Sequence, residues 1–154
     1  MTSPQSTVAL QVGDPAPKFS LPSHPAGNIS LDNYFGKKNV ILAFYPKDDT
    51  PGCTKEMCSF SDDLEKFTNA DTQVLGISCD DASSHAKFAE KHKLTLPLLA
   101  DDSRSVGRAY GTVREDKATA ERVLFVIDKQ GVIKYIHQGM PSNEELLNVV
   151  RGLK

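Results

Sequence analysis

Two cysteines five positions apart are the residues of this sequence best suited to chemistry. Cys53 ends the segment Thr50-Pro51-Gly52-Cys53, and Cys58 follows it. The N-terminus of a helix offers unpaired backbone N–H groups and the positive end of the helix dipole, and both favour a thiolate over a thiol. Since the thiolate is the nucleophilic form, a helix that begins here makes Cys53 a candidate nucleophile. Cys58 then supplies a second thiol with which an oxidised Cys53 can react.

The flanking residues predict the strand-to-helix junction that this chemistry needs. Residues 39–45 include an unbroken apolar run, which is typical of a central strand covered on both faces. After the cysteine segment, apolar residues recur at helical spacing and Cys53 lies on the same stripe. The members of the stripe are Met57, Phe60, Leu64 and Phe67. We therefore expect one helix from this segment to about Asn69, with Lys55 and Glu56 facing solvent.

The rest of the chain alternates predicted strands and helices. Strands are predicted at residues 18–21, 28–31, 73–78, 96–99, 122–127 and 132–136, and helices at 83–92, 103–110 and from Ser142, where Ser142 and Glu145 match a capping box. The first two strands form an N-terminal β-hairpin and the last two a closing hairpin. This order predicts the α/β class, with a mixed central β-sheet flanked by helices. We expect a single domain over residues 1–154, in which residues 1–12 are a flexible tail.

Composition argues against several classes of function. The 154 residues carry a net charge of −2 with three cysteines, and the pI is about 6.1. Without a basic field or an apolar run of roughly 18 residues, neither nucleic acid nor a membrane is an expected partner. The N-terminus lacks a basic and apolar leader, which favours the cytoplasm. Three cysteines are too few for a disulfide scaffold, so a close pair is better explained by catalysis, redox chemistry or metal binding.

Cofactor motifs are absent from the sequence. The four histidines, at positions 24, 85, 92 and 137, show no metal-ligand spacing with the cysteines. There is also no glycine-rich nucleotide motif. We therefore expect a protein that works without a metal or other cofactor.

The cysteine segment resembles a known family. Residues 44–58 are similar to the peroxiredoxins of the bacterioferritin comigratory protein (Q-type) class, whose pattern Pro-x-x-x-Thr-x-x-Cys is met by Pro46, Thr50 and Cys53. Residues 13–19, 96–101 and 122–128 extend the similarity, which covers roughly 12–150. The resemblance implies a thioredoxin-like fold and a thiol peroxidase that reduces hydrogen peroxide and organic hydroperoxides.

The resemblance also implies a role for each site residue. Cys53 would attack the peroxide, and Arg122 would stabilise the thiolate and the transition state as a fixed cation. The Thr50 hydroxyl would engage the peroxide or the thiolate, and its position before Pro51 predicts that it also accepts from the Cys53 amide as a helix cap. Pro46 would shield the pocket. One departure from the family is Ser61, which follows Phe60 where many relatives have arginine.

Cys58 is the resolving cysteine by the same resemblance, and helix geometry adds a condition. Residues five apart on an ideal helix have Cα atoms roughly 8–9 Å apart, whereas a disulfide tolerates at most about 7 Å. A Cys53–Cys58 bond therefore requires the first turn or two to unwind. The catalytic cycle that the resemblance implies ends when thioredoxin (or glutaredoxin) reduces this disulfide. The resemblance also implies that the protein is a monomer.

Other readings remain open at this point. A thioredoxin-like disulfide oxidoreductase would share the fold, but it typically uses Cys-x-x-Cys. A redox-responsive binding or chaperone module is a second possibility. Cys58 without a redox partner would leave a one-cysteine enzyme resolved by an external thiol. We expect Cys79 to be structural, with an alternative resolving role as the minor reading.

Overall fold

The computed structural model describes residues 10–25, 27–114 and 117–153. The strands are β1 (Ser20–His24), β2 (Asn28–Ser30), β3 (Asn39–Phe44), β4 (Thr72–Ser78), β5 (Leu98–Ala100), β6 (Val123–Ile127) and β7 (Ile133–Gln138). The helices are α1 (Pro51–Asp62), α2 (Leu64–Thr68), α3 (Ala82–His92), α4 (Ser105–Ala109) and α5 (Asn143–Arg151), with a 3-10 helix over Leu31–Tyr34. The predicted alternation of strands and helices is thus confirmed, apart from the 3-10 helix, which the sequence analysis missed.

The strands form one mixed seven-stranded sheet in the order β2-β1-β5-β4-β3-β6-β7. Near its middle, β3 pairs parallel with β4 and antiparallel with β6. The hairpins β1–β2 and β6–β7 form its two edges, as predicted. The mixed sheet and its N-terminal hairpin match the fold class expected from the sequence.

All six residues of β3 are buried because both faces of the sheet are covered. Alternate side chains of a strand point to opposite faces. Val40, Leu42 and Phe44 join one hydrophobic cluster, which includes Leu31 and Val106. Ile41 and Ala43 join the other cluster, to which α1, α2, α3 and α5 contribute buried side chains. Four of the five helices thus cover the face that carries Cys53.

The predicted helix from the cysteine segment to Asn69 is wrong in one respect, since it is two helices. Asp63 ends α1 with φ −106° and ψ 13°, outside helical geometry, and α2 begins at the next residue. The predicted capping box is half formed. The Ser142 hydroxyl accepts from the Glu145 amide at 3.1 Å, but the Glu145 carboxylate accepts from the Tyr135 hydroxyl instead. A partner on the neighbouring strand has replaced the local one.

Most of the predicted flexible tail, residues 1–9, lies outside the described residues. The described part of the tail, residues 10–12, is hydrogen-bonded to the chain that follows, because the Gln11 amide donates to the Asp14 carboxylate at 2.9 Å. The next residue, Gly13, donates its amide to the Ile133 carbonyl at 2.8 Å. In the described part of the chain, no helix has the length and apolar character needed to cross a membrane.

Candidate active site

Cys53 lies in the first turn of α1, at the junction with β3. Thr50 is the N-cap residue, with extended φ −100° and ψ 155°, and Pro51 occupies the first helical position. Proline suits this position because its missing N–H would have no helical partner. Cys53 is therefore the third helical residue, as predicted. Only 1% of its surface is exposed to solvent.

The predicted cap by the Thr50 side chain is wrong. Within the described residues this side chain accepts no capping hydrogen bond; its hydroxyl donates to the Lys47 carbonyl at 2.9 Å. The reason is the turn that precedes the helix, where Asp49 has a φ of +62° and the chain folds back on itself. Because the hydroxyl proton is used in this bond, the oxygen can act towards other groups only as an acceptor.

Arg122 contacts the sulfur, as the sequence analysis expected. Its Nη2 donates to Cys53 Sγ at 3.2 Å. The two residues are 69 positions apart, and the sheet brings them together because Phe44 at the end of β3 pairs with Val123 at the start of β6. A guanidinium is a permanent cation with donors in a fixed plane, so it holds positive charge against the sulfur.

Glu56 completes this group and contradicts its prediction. Expected to face solvent, it is 2% exposed and accepts from Arg122 Nη1 at 2.6 Å. The available signal was its spacing of three residues from Cys53, which puts both side chains on one face of the helix. Its neighbour Lys55 is exposed, as predicted.

Burial and charge oppose each other at this ion pair. Burial raises the pKa of the Glu56 carboxyl to about 7, although Arg122 acts to lower it. Burial disfavours the Arg122 cation, but the hydrogen bond to Cys53 and the charge of Glu56 outweigh it, so the pKa of Arg122 is raised. The guanidinium is therefore held charged beside the sulfur while the carboxyl titrates near neutral pH.

Two glycines allow this close packing. A Cβ on Gly52 would lie 3.2 Å from Arg122 Nη2, so the absence of a side chain lets the guanidinium reach the helix. A Cβ on Gly76 in β4 would lie 2.9 Å from the Met57 sulfur. Met57 is fully buried, and the contact seats α1 directly on the sheet.

The structure does not bring the two cysteines of α1 together. Both belong to one helix, where five residues correspond to a rotation of about 140°. Cys53 faces the core, whereas Cys58 is half-buried, and both thiols are free. Burial, with a smaller contribution from Asp62, raises the pKa of the Cys58 thiol.

Cys79 directly follows β4 and is also a free, half-buried thiol. Burial, together with the nearby Asp101 carboxylate, raises its pKa to about 11. Little of this thiol is anionic at neutral pH, so it is a poor nucleophile there.

The loop between β3 and α1 carries Pro46 and a polar network that the sequence analysis missed. Pro46 is half-buried. Asp48 is buried and accepts from the Tyr45 hydroxyl at 2.6 Å and the Ser84 hydroxyl at 2.8 Å, and its carboxylate lies 2.7 Å from His85 Nδ1. These contacts fasten the loop to α3, with no signal in the local sequence to predict them.

Within the part of the chain that the structure describes, His85 belongs to one group of potential metal ligands. Donor atoms of Asp48, Asp80 and His85 lie within 4.8 Å of one another. His85 Nε2 meets the Leu99 carbonyl at 2.7 Å, and the Ser78 hydroxyl donates to Asp80 at 2.7 Å. Each of the three side chains is thus already engaged in hydrogen bonds within the protein.

Comparison with known proteins identifies the family of the chain. A model of the AhpC/TSA family matches residues 12–136. The chain belongs to the AhpC/TSA family. A putative peroxiredoxin bcp of Coxiella burnetii is 42% identical over 152 residues, which cover 95% of this chain and all of the relative. The chloroplastic peroxiredoxin Q of Triticum aestivum is 39% identical over 146 residues, which cover 92% of this chain and 67% of the relative.

A solved structure supports the same family assignment. The peroxidoxin BcpB of Mycobacterium tuberculosis superposes with a TM-score of 0.87 at 30% identity, covering 94% of this chain and 99% of the other. The protein is therefore a Q-type peroxiredoxin with a thioredoxin-like fold and an enzyme of the thiol peroxidase class.

Proposed function

We propose that this peroxidase reduces hydrogen peroxide and organic hydroperoxides with Cys53 as its nucleophile. The observation that carries the proposal is the 3.2 Å contact between Arg122 Nη2 and a sulfur that is almost fully buried in the first turn of a helix. A fixed cation and the helix dipole stabilise negative charge on the sulfur, and exclusion of water strengthens their effect on the charged transition state.

In the first step, the Cys53 thiolate attacks one peroxide oxygen and the O–O bond breaks. The sulfur becomes a sulfenic acid, and the other oxygen leaves as water or an alcohol after protonation. Arg122 stabilises the charge that shifts from sulfur to the leaving oxygen. The Thr50 hydroxyl donates its proton to the Lys47 carbonyl, so its oxygen accepts a hydrogen bond from the peroxide. Pro46 shields the pocket.

In the second step, the Cys58 thiol condenses with the sulfenic acid, which forms a disulfide and releases water. Both cysteines lie within α1, where ideal geometry separates their Cα atoms by roughly 8–9 Å. The step therefore requires local unwinding of this helix. We infer that Cys79, with its raised pKa, has no part in turnover.

An external dithiol then reduces the disulfide by exchange, and thioredoxin is the proposed donor, with glutaredoxin as the alternative. We further propose that the chain works as a single-domain monomer in the cytoplasm, without a metal or other cofactor. The bacterial relative, matched over its whole length, supports the single domain and the cytoplasmic location, whereas the plant relatives are described as chloroplastic.

A coupled assay tests the proposal. Wild type, Cys53→Ser, Cys58→Ser and Cys79→Ser are compared for peroxide consumption with thioredoxin and with glutaredoxin as electron donor. We expect Cys53→Ser to be inactive, Cys58→Ser to accumulate a sulfenic acid detectable by mass spectrometry, and Cys79→Ser to match wild type. Full thioredoxin-dependent turnover by Cys58→Ser would overturn the assignment of the resolving cysteine.

A further inference from the structure

The C-terminal half of α1 is tied to α5 by the side chain of Asn143. The Asn143 amide nitrogen lies 3.0 Å from the Ser59 carbonyl and 2.9 Å from the Ser59 hydroxyl. It also lies 2.9 Å from the Asp63 carboxylate. Asn143 is the first residue of α5, directly after its N-cap Ser142. One side chain thus spans the last turn of α1.

A second tie comes from the segment before β5. The Thr95 amide donates to the Ser61 hydroxyl at 2.8 Å. Between these ties Phe60 is 2% exposed, and its ring packs edge-on against Phe67 of α2 at 6.1 Å. Polar and apolar contacts therefore hold residues 59–63 together, and we call them the C-terminal anchor. The Ser61 hydroxyl serves as an acceptor in it.

The chain on the other side of Cys53 is tied to α3. Asp48 contacts Ser84 and His85 within the buried network. Asp49 accepts from Lys91 at 2.8 Å and lies 2.9 Å from His92. Residues 48–49 form the N-terminal anchor. Residues 50–58, which hold both cysteines, lie between the two anchors.

The segment between the anchors is also the part of α1 that buries the smallest apolar side-chain surface. Among residues 50–58, Met57 is the only large apolar residue, and methionine adapts easily to new surroundings. The buried Phe60 and Phe67 lie beyond it. Unwinding that stops before Ser59 therefore exposes far less apolar surface than unwinding of the whole helix.

We propose that the conformational change which brings Cys58 to Cys53 is confined to residues 50–58, and that Asn143 is the positioning residue that sets its C-terminal limit. The inference rests on the proposed function, since it concerns the resolution step. Because its hydrogen bonds to Ser59 and Asp63 lie just beyond the segment that unwinds, Asn143 keeps residues 59–63 folded and stops the unwinding from spreading into them. It touches neither Cys53 nor Arg122 and does not affect the attack on peroxide.

Hydrogen exchange on the wild-type protein tests the limit itself. The Asp63 amide donates to Ser59 and the Thr95 amide to Ser61, so these two amides report on the C-terminal anchor. We expect residue-resolved exchange to show that the disulfide form keeps protection at Asp63 and Thr95 and loses it over residues 54–58. Loss of protection at Asp63 and Thr95 in the oxidised wild type would overturn the proposal.

Substitution of Asn143 tests its role in setting this limit. Asn143→Asp keeps the shape and suits a helix N-terminus, so α5 stays folded, but it replaces the donors with a carboxylate that faces Asp63. Loss of one or two hydrogen bonds is expected to make the Asp63 amide of the disulfide form exchange about 3- to 10-fold faster than in the wild-type disulfide form. Asn143→Ala is the second variant, and Asn148→Asp, an exposed position of the same helix, is the matched control.

Stopped-flow measurement after a single peroxide addition and hydrogen exchange of the resulting disulfide form separate the two effects. In both Asn143 variants we expect Cys53 oxidation at the wild-type rate, faster exchange at Asp63 in the disulfide form, and a smaller change in the reduced form, where the intact helix also protects this amide. Asn148→Asp should match wild type in all three. Wild-type protection at Asp63 in the disulfide form of both Asn143 variants would refute the role of Asn143. Absence of any Cys53–Cys58 disulfide in wild type would instead refute the proposed function.

Discussion

Arg122 and Glu56 form a partly buried ion pair of 2.6 Å in which the arginine uses only one of its two terminal nitrogens. The other nitrogen donates to Cys53 at 3.2 Å. The carboxylate thereby fixes the plane of the guanidinium, and the sulfur receives a donor whose direction is set in advance. Such preorganised charge costs little rearrangement when the reaction begins.

The first prediction concerns the pH dependence of stability. The pKa of Glu56 is raised from 4.5 to about 7 in the folded protein, so the folded state binds a proton that the unfolded chain releases near its ordinary value. The resulting stabilisation is fully present below the unfolded pKa and is lost as pH rises through about 7. We expect the free energy of unfolding to fall by on the order of 1–3 kcal/mol for this reason.

Urea unfolding of the reduced protein between pH 5 and pH 8 measures this change. Glu56→Gln should flatten the profile, because the amide does not titrate. Glu65→Gln, an exposed residue of α2, is the control and should leave the profile unchanged. An equal slope in wild type and Glu56→Gln would contradict the assignment.

The second prediction concerns the cation beside the sulfur. Arg122→Met removes the donor to Cys53, and we expect the rate constant for peroxide to fall about 10²- to 10³-fold, as when one preorganised donor is lost. Arg122→Lys should have an intermediate rate constant, since one ammonium cannot contact both Cys53 and Glu56 with the same geometry. Stopped-flow oxidation of Cys53 measures both.

A second variant guards against a folding defect. Arg122→Met alone leaves a buried carboxylate without its partner, which is destabilising. Arg122→Met combined with Glu56→Gln removes that charge and should recover stability without recovering the rate. Recovery of the peroxide rate in the double variant would show that Arg122 acts through stability alone.

The third prediction separates stability from activity at Gly52. A Cβ at this position would approach Arg122 Nη2 to 3.2 Å, so the guanidinium must move away by a few tenths of an ångström. Alanine is also the better helix former, by about 0.5–1 kcal/mol in a helix interior. We expect Gly52→Ala to keep or raise the melting temperature while peroxide reacts several-fold more slowly. A wild-type rate constant would mean that the guanidinium accommodates the methyl group without leaving the sulfur.

The fourth prediction concerns Cys79. Its pKa of about 11 leaves little thiolate at pH 7.5, so alkylation by iodoacetamide should be slow and should accelerate steadily up to pH 10. Mass spectrometry of partially labelled protein measures this site by site. Rapid labelling of Cys79 at neutral pH would contradict the inert role.

Local patterns were enough to predict much of the fold and the position of the nucleophile. The apolar run of β3, the Thr-Pro start of α1 and the stripe of Met57 and Phe60 each depend on interactions within a few residues, which the sequence displays directly. The break at Asp63 was missed because helical periodicity continues across it and only the backbone angle reveals the turn.

The sequence by itself thus determined the order of strands and helices, the position of Cys53 in the first turn of a helix, and the family to which its motif points. Tertiary structure decided what surrounds the sulfur. Glu56 is buried because a guanidinium from 66 positions away meets it, and the Thr50 hydroxyl bonds to Lys47 rather than to the helix because the loop turns at Asp49. Asn143 reaches Ser59 across 84 positions. Burial and pairing depend on which distant residues the sheet and helices bring into contact, and that information is absent from any local stretch of sequence.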